Sequence, residues 1–141
     1  MRMRLQKEQG TIAPLKAGEG GYYDLDFILM YLRLKAAGMF FPSLNTPQRI
    51  EIVEQTGHLD RSDAESLLRA ATFFRALDHA IRLVNGRAEE KLPAAAEERT
   101  LVTRLLNLWI SPAVEENALE RTVSDLRIRV RNSFEAVFGT A

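Results

Sequence analysis

The segment of this sequence most suggestive of chemistry is KAGEGGYYDLDF, a glycine-rich turn that leads into two carboxylates. Its spacing matches neither the G-x-x-x-x-G-K-S/T phosphate loop nor the G-x-G-x-x-G dinucleotide motif. Flexible backbone N–H groups beside a lysine and a helix N-terminus still permit an anion site. The alternative, which the residues leave open, is a loop followed by a helix that Asp24 caps. The candidates for contact with a nucleotide or a catalytic domain are Lys16, Gly18, Gly20, Gly21, Asp24 and Asp26.

The two aspartates have the D-x-D spacing that holds magnesium in many phosphoryl-transfer enzymes. Such pairs usually lie on a strand, where residues two apart point the same way. On a helix, side chains two positions apart diverge by about 200°. Because Asp24 and Asp26 fall at the start of a predicted helix, we do not expect them to chelate one ion together, and we predict no metal ligand in this chain.

Histidines and arginines supply the remaining polar candidates. His58 and His79 are the two histidines, and nothing around them has the ligand spacing of a zinc site. Arg127 and Arg131 are four residues apart and share one face of the last predicted helix, which makes them a candidate interaction surface. Cations near a helix C-terminus also complement its dipole, which explains part of this basic cluster without a partner. We assign no catalytic residue.

The composition is that of an ordinary globular domain. The 141 residues include 19 basic and 19 acidic ones, so no net charge attracts nucleic acid or an anionic membrane. The chain has no cysteine, which excludes disulfides and thiolate chemistry. No apolar run approaches the roughly 18 residues of a membrane span. We expect a soluble cytoplasmic protein with no nucleic-acid or membrane partner.

Turn and capping signals divide the chain into helices throughout. The last predicted helix contains LRIRVR, which alternates like a strand, but the longer window keeps the helical period. The prediction is an all-α bundle of about five mostly antiparallel helices, with the end of an N-terminal helix and a glycine-rich connector at 1–21 and the bundle at 22–141. The predicted N-terminal ends of the helices are at Asp24, Thr46, Ser62 (with Asp60 as a competing cap), the residues after Pro93, and Ser111. The predicted C-terminal ends are at Gly38, Gly57, Gly86 and Gly139.

Several segments resemble a known family in the same order. LKAGEGGYYDLDFILMYLRL resembles the segment that joins the catalytic domain to the helical domain in glutamine synthetase adenylyltransferases. MRMRLQKE is similar to the arginine-rich helix before that loop, and FPSLNTPQRIEIVEQTGHLDRSDAESL to the linker and short helix after it. FFRALDHAIRL, KLP and EERTLVTRLLNLW resemble the later helices. PII uridylyltransferases share this domain type more distantly.

The resemblance implies the helical, substrate-positioning or regulatory domain of an enzyme that transfers AMP between ATP and a tyrosine of glutamine synthetase. It implies ATP and magnesium as cofactors of a full-length enzyme, none bound by this chain alone. The implied partners are a catalytic nucleotidyltransferase domain, in cis or in trans, and glutamine synthetase or a PII protein.

The chain departs from the family pattern in two ways. The paired aspartates of the catalytic domain do not occur in it, and polar residues usual in the family are Met30, Ala71 and Arg82 here. The alternative hypothesis is therefore a stand-alone helical interaction module without catalytic activity. That hypothesis predicts an exposed apolar patch or a homo-oligomer, because the nearly all-apolar helix from Asp24 needs a cover.

Overall fold

The computed structural model describes residues 2–9, 14–35 and 45–139. This part of the chain contains helices and no strand, which confirms the predicted all-α class. A short N-terminal helix precedes five others. The described residues therefore contain one helix more than the five or so predicted for the bundle. The helices are α1 (Arg2–Gln9), α2 (Tyr22–Lys35), α3 (Thr46–Gln55), α4 (Arg61–Asn85), α5 (Ala96–Leu106) and α6 (Leu119–Phe138).

The central element is α4, which contacts α2, α3, α5 and α6. Its apolar residues recur at three- and four-residue steps from Leu67 to Ile81, so one stripe of the helix is continuously apolar. That stripe is buried along its length. Helix α2 lies against α3, α4 and α6, and α1 contacts α2. The division at residue 21 stays a prediction.

Helix α2 is less buried than its composition predicted. Leu25, Ile28, Leu29 and Leu32 are in the core. Met30 and Leu34 on the opposite side are 50% and 70% exposed. Within the described residues, the nearly all-apolar helix predicted from Asp24 is therefore covered on one side and left exposed on the other. The predicted end of this helix at Gly38 lies outside them.

Three of the predicted N-cap residues differ from those in the structure. Helix α2 begins at Tyr22, which places Asp24 inside the first turn instead of at the cap. Helix α3 is capped by Asn45, whose side chain forms a capping box with Gln48, one residue before the predicted Thr46. Asp60, the competing candidate, caps α4 by accepting from the Asp63 N–H, so Ser62 is a helical residue.

The largest error concerns α6, which begins at Leu119 and not at Ser111. The side chain of Asn107 explains the difference, because it bonds Val114 twice. Its Nδ2 donates to the Val114 carbonyl at 2.7 Å, and its Oδ1 accepts from the Val114 N–H at 2.8 Å. These bonds hold the segment between α5 and α6 as a loop. The LRIRVR segment lies within α6, as predicted.

The predicted ends of the other helices are confirmed. Helix α3 ends just before Gly57, α4 ends at Gly86 in the left-handed conformation, and Gly139 follows α6. None of the described helices has the length and apolar character needed to cross a bilayer.

Candidate functional site

The glycine loop, residues 14–21, folds back on itself before α2 begins. The Gly21 N–H donates to the Gly18 carbonyl at 3.0 Å. The N–H groups of Tyr22 and Tyr23 donate to the carbonyls of Leu15 and Lys16 at 3.1 and 2.9 Å. These bonds satisfy N–H groups that a helix N-terminus otherwise leaves without a partner.

Asp24 holds the loop from inside the first turn of α2. Its side chain is fully buried, and Oδ2 accepts from the Gly20 N–H at 2.7 Å. Nη1 of Arg131 on α6 lies 3.7 Å from the same oxygen. A buried carboxylate needs both a countercharge and hydrogen bonds, and here α6 and the loop backbone supply them. One carboxylate therefore joins the loop, α2 and α6.

Arg127, one turn before Arg131, holds the loop from the other side. Its Nε donates to the Glu19 carbonyl at 2.9 Å. Burial lowers the pKa of the Arg127 guanidinium from its usual value, while the negative charges of Glu19 and Asp24 act in the opposite direction. Of the two arginines predicted as an interaction surface, Arg127 therefore bonds the glycine loop and Arg131 pairs with Asp24 on α2.

Close packing on α6 explains the glycine at position 20. Gly20 has a φ of +67°, and a Cβ placed there would overlap the Arg127 carbonyl. A Cβ at Gly21 would lie 2.7 Å from the Lys16 carbonyl oxygen, and one at Gly18 would overlap the Pro14 carbonyl. The absence of side chains lets the loop lie directly on the α6 backbone.

The backbone bonding limits what the loop can do chemically. Each N–H from Gly20 to Asp24 donates to an acceptor inside the chain. These groups are therefore not free to surround a phosphate in this conformation. The side chain of Glu19 lies exposed at the tip of the loop and accepts from Gln6 Nε2 at 2.8 Å.

Lys16 is directed away from the glycines. Its Nζ bonds Glu90 Oε1 at 2.9 Å, which ties the glycine loop to the segment between α4 and α5. Both side chains are about one-third exposed, so this ion pair contributes little to stability. The lysine is accessible, but it already has an anionic partner.

The two aspartates of the D-x-D pair have different surroundings. Asp24 faces α6 through Arg131, whereas Asp26 is half-buried and feels the charge of Arg49 on α3. Burial raises the pKa of Asp26, and Arg49 opposes that rise. Among the residues that the structure describes, no three histidine, aspartate or glutamate side chains converge as a metal site.

A groove that crosses α4 is the second polar site, and the sequence interpretation did not single it out. It has a volume of about 660 Å³. Arg75, His79 and Arg82 on α4 line it, together with Tyr22, Thr46 and Trp109. The His79 and Trp109 rings meet edge to face with centroids 5.1 Å apart. We call this the α4 groove.

A smaller cavity of about 170 Å³ adjoins the α4 groove and shares Tyr22, Arg75 and Asp78 with it. The Lys16–Glu90 pair lines this cavity. Oε2 of Glu90 is buried and has no hydrogen-bond partner among the described residues. The smaller cavity thus connects the surroundings of the glycine loop with the α4 groove.

The spacing of Arg75, His79 and Arg82 at i, i+4 and i+7 was a signal that could have placed these three side chains on one face. Nothing local in the sequence pairs them with Trp109, which follows α5. That pairing depends on how α5 packs on α4.

A family model described as GlnD PII-uridylyltransferase matches residues 2–138. The chain belongs to this family. It is also similar to enzymes named bifunctional glutamine synthetase adenylyltransferase/adenylyl-removing enzyme. The one from Rhizobium meliloti (strain 1021) is 27% identical over 95% of this chain. Those from Rhodopseudomonas palustris (strain BisB5) and Nitrosococcus oceani are 29% and 31% identical over 99% and 84% of it.

These findings confirm the resemblance stated from the sequence, with the adenylyltransferases among the curated relatives and the uridylyltransferase name on the family model. This uridylyltransferase-family chain spans only 14% of the Rhizobium relative and 12% of the Nitrosococcus one. No solved structure matches the chain. Ala71 and Arg82, which stand where other polar residues are usual in the resembled family, both line the α4 groove.

Proposed function

We propose that this chain is the helical domain of a glutamine synthetase adenylyltransferase-like nucleotidyltransferase that acts in the control of nitrogen assimilation. In this proposal it positions the protein substrate or relays a regulatory signal, and the glycine loop faces the catalytic domain. The observation that carries the proposal is the fixed geometry of that loop, where Asp24 and Arg127 both bond the peptide that joins the exposed Glu19 to Gly20.

The loop has features that a simple connector does not need. Gly18, Gly20 and Gly21 are buried, while Glu19 between them is exposed. A buried carboxylate and a half-buried guanidinium fix the backbone at that point. A surface ordered before binding loses less conformational entropy when it meets a partner. Such a loop suits a permanent contact with a neighbouring domain.

Individual residues would act as follows. Asp24 orders the loop through Gly20, and Lys16 would exchange Glu90 for a nucleotide phosphate held by the neighbouring domain. Asp26 lies beside Arg49, on the opposite side of α2 from Arg131, and would influence the loop through the orientation of that helix. ATP and magnesium belong to the full-length enzyme in this proposal, and we assign them no ligand in this chain.

The partners follow from the same proposal. The first is a catalytic nucleotidyltransferase domain, on the same chain or on another. The second is the modified or signalling protein, glutamine synthetase or PII. Neither nucleic acid nor a membrane has a role in it.

The test uses the protein as encoded in its genome, with AMP transfer from ATP and magnesium to glutamine synthetase as the readout. Glu19→Lys reverses a charge at the exposed loop tip, and thermal melts check that the new repulsion with Arg127 leaves the protein folded. We expect the rate of AMP transfer to fall about tenfold, because a reversed charge at the interface with the catalytic domain is costly. Glu115→Lys is the matched control, since Glu115 is also exposed and lies in the loop before α6.

Equal activity of Glu19→Lys and Glu115→Lys would show that the loop tip does not face the catalytic domain. Lys16→Ala and Asp24→Ala extend the test to the buried side of the loop, with thermal melts to separate activity from folding. Unchanged AMP transfer in both variants would contradict the roles proposed for Lys16 and Asp24.

An exposed apolar patch favours a second candidate, a stand-alone interaction module. Leu34 and Met30 are at least half exposed, and the Tyr31 ring packs in a tilted orientation against the 41%-exposed Phe138, with centroids 4.8 Å apart. Such a patch marks an interaction surface when it is contiguous. Immunoblotting of a lysate with an antibody to this chain separates the candidates: a product near 15.9 kDa supports the module, and a much larger one supports the enzyme domain.

A further inference from the structure

The α4 groove carries a positive charge that the described residues do not fully neutralise. Its charged groups are Arg75, Asp78 and Arg82. Arg82 Nε bonds Asp78 Oδ2 at 2.9 Å, so those two charges offset each other. Arg75 has no hydrogen bond or ion pair with any described residue. The carboxylates of Glu89 and Glu90 line only the adjoining smaller cavity.

Helix α3 adds to this positive character. Thr46 and Pro47, the first residues of α3, line the groove together with Arg75, so the positive end of the helix dipole lies at the groove. A guanidinium and a helix N-terminus are both groups that phosphate oxygens contact in proteins. Tyr22 Oη lies 3.1 Å from Thr46 Oγ1 and fixes this wall of the groove.

The groove also has an aromatic lining. Trp109 is 43% exposed and lines the groove, where His79 meets it edge to face. Exposed aromatic rings bind nucleobases by stacking, which is worth about 1–3 kcal/mol for each base. The groove volume of about 660 Å³ falls within the usual range for small-molecule sites.

We propose that the α4 groove binds a nucleoside monophosphate. The phosphate contacts Arg75 near the N-terminal end of α3, and the base stacks on Trp109. This assigns a ligand to the helical domain itself and does not depend on the catalytic role proposed for a neighbouring domain.

The chain contains a built-in probe for the test, because Trp109 is its single tryptophan. Residues 1–141 are titrated with AMP, and tryptophan emission is recorded. Adenosine, which lacks the charge, and inorganic phosphate, which lacks the ring, are titrated in parallel. We expect saturable binding of AMP, with each partial ligand at least about tenfold weaker.

The variant Arg75→Gln removes the unpaired guanidinium, and we expect AMP affinity to fall about tenfold. Arg129→Gln is the matched control, since Arg129 is exposed on α6 and does not line the groove. Circular dichroism verifies that both variants remain folded.

Three outcomes would overturn the proposal. The first is an AMP titration without saturation. The second is phosphate or adenosine binding as tightly as AMP, which would remove one half of the assigned ligand. The third is an equal loss of affinity in Arg75→Gln and Arg129→Gln, which would indicate non-specific attraction to positive charge.

Discussion

The glycine loop and the α4 groove both combine arginines with carboxylates, but they use them differently. In the loop, Arg127 and Asp24 bond backbone groups and leave few polar atoms free. In the groove, Arg75 has no partner among the described residues, and Trp109 is partly exposed. The sequence drew attention to the loop, where the polar groups maintain the fold. The groove, which the sequence did not mark, keeps polar groups available for a ligand.

The most severe test of this contrast is Gly20→Ala. The new methyl group would overlap the Arg127 carbonyl, and the residue would have to keep a φ of +67°. We expect the free energy of unfolding to fall by about 3 kcal/mol, from the left-handed conformation and overpacking together. Urea denaturation followed by circular dichroism measures it.

Gly86→Ala is the control for Gly20→Ala. Gly86 has nearly the same φ, +70°, but nothing lies within 4 Å of its Cβ position. Its expected cost is about 1 kcal/mol. If the two variants lost the same stability, the close packing of the loop on α6 would contribute nothing.

A smaller effect separates the arginines of the two regions. Arg127→Gln removes the charged donor to the Glu19 carbonyl, and we expect a loss of about 1.5 kcal/mol in the free energy of unfolding. Arg75→Gln should change it by less than about 0.5 kcal/mol, because Arg75 has no described partner. Parallel urea titrations measure both, and a larger loss in Arg75→Gln would contradict the contrast.

The smallest expected effect concerns Asp26. Burial raises its pKa in the folded protein above 3.8, so folding favours the protonated form. Stability from this group is present at low pH and is lost as the pH rises through the raised pKa. Asp26→Asn should therefore stabilise the protein at pH 7 by a few tenths of a kcal/mol, about what a partly exposed group allows.

Unfolding free energies of wild type and Asp26→Asn at pH 4 and pH 7 measure this effect. The difference between the two proteins should be larger at pH 7 than at pH 4. A variant that was less stable than wild type at pH 7 would mean that the attraction of Arg49 outweighs the cost of burial.

Much of the fold could be predicted because its signals are local. The apolar stripe from Leu67 to Ile81 predicts α4, and Gly86 predicts its end. The start of α6 was missed because Asn107 bonds Val114 across seven residues, and no propensity scale contains such a bond. The exposure of Leu34 was left open because composition does not say which side of α2 receives a neighbour.

For the candidate sites, the sequence by itself determined the residue types and the helical faces on which they lie. It identified Asp24, Asp26 and the glycines as unusual, and it placed Arg127 and Arg131 on one face. Only the tertiary structure decided that α6 presents Arg127 to the glycine loop and Arg131 to Asp24, and that Trp109 and Arg75 line one groove. The physical reason is sequence separation: these contacts join residues on different helices, and packing of the apolar core sets the distance between those helices.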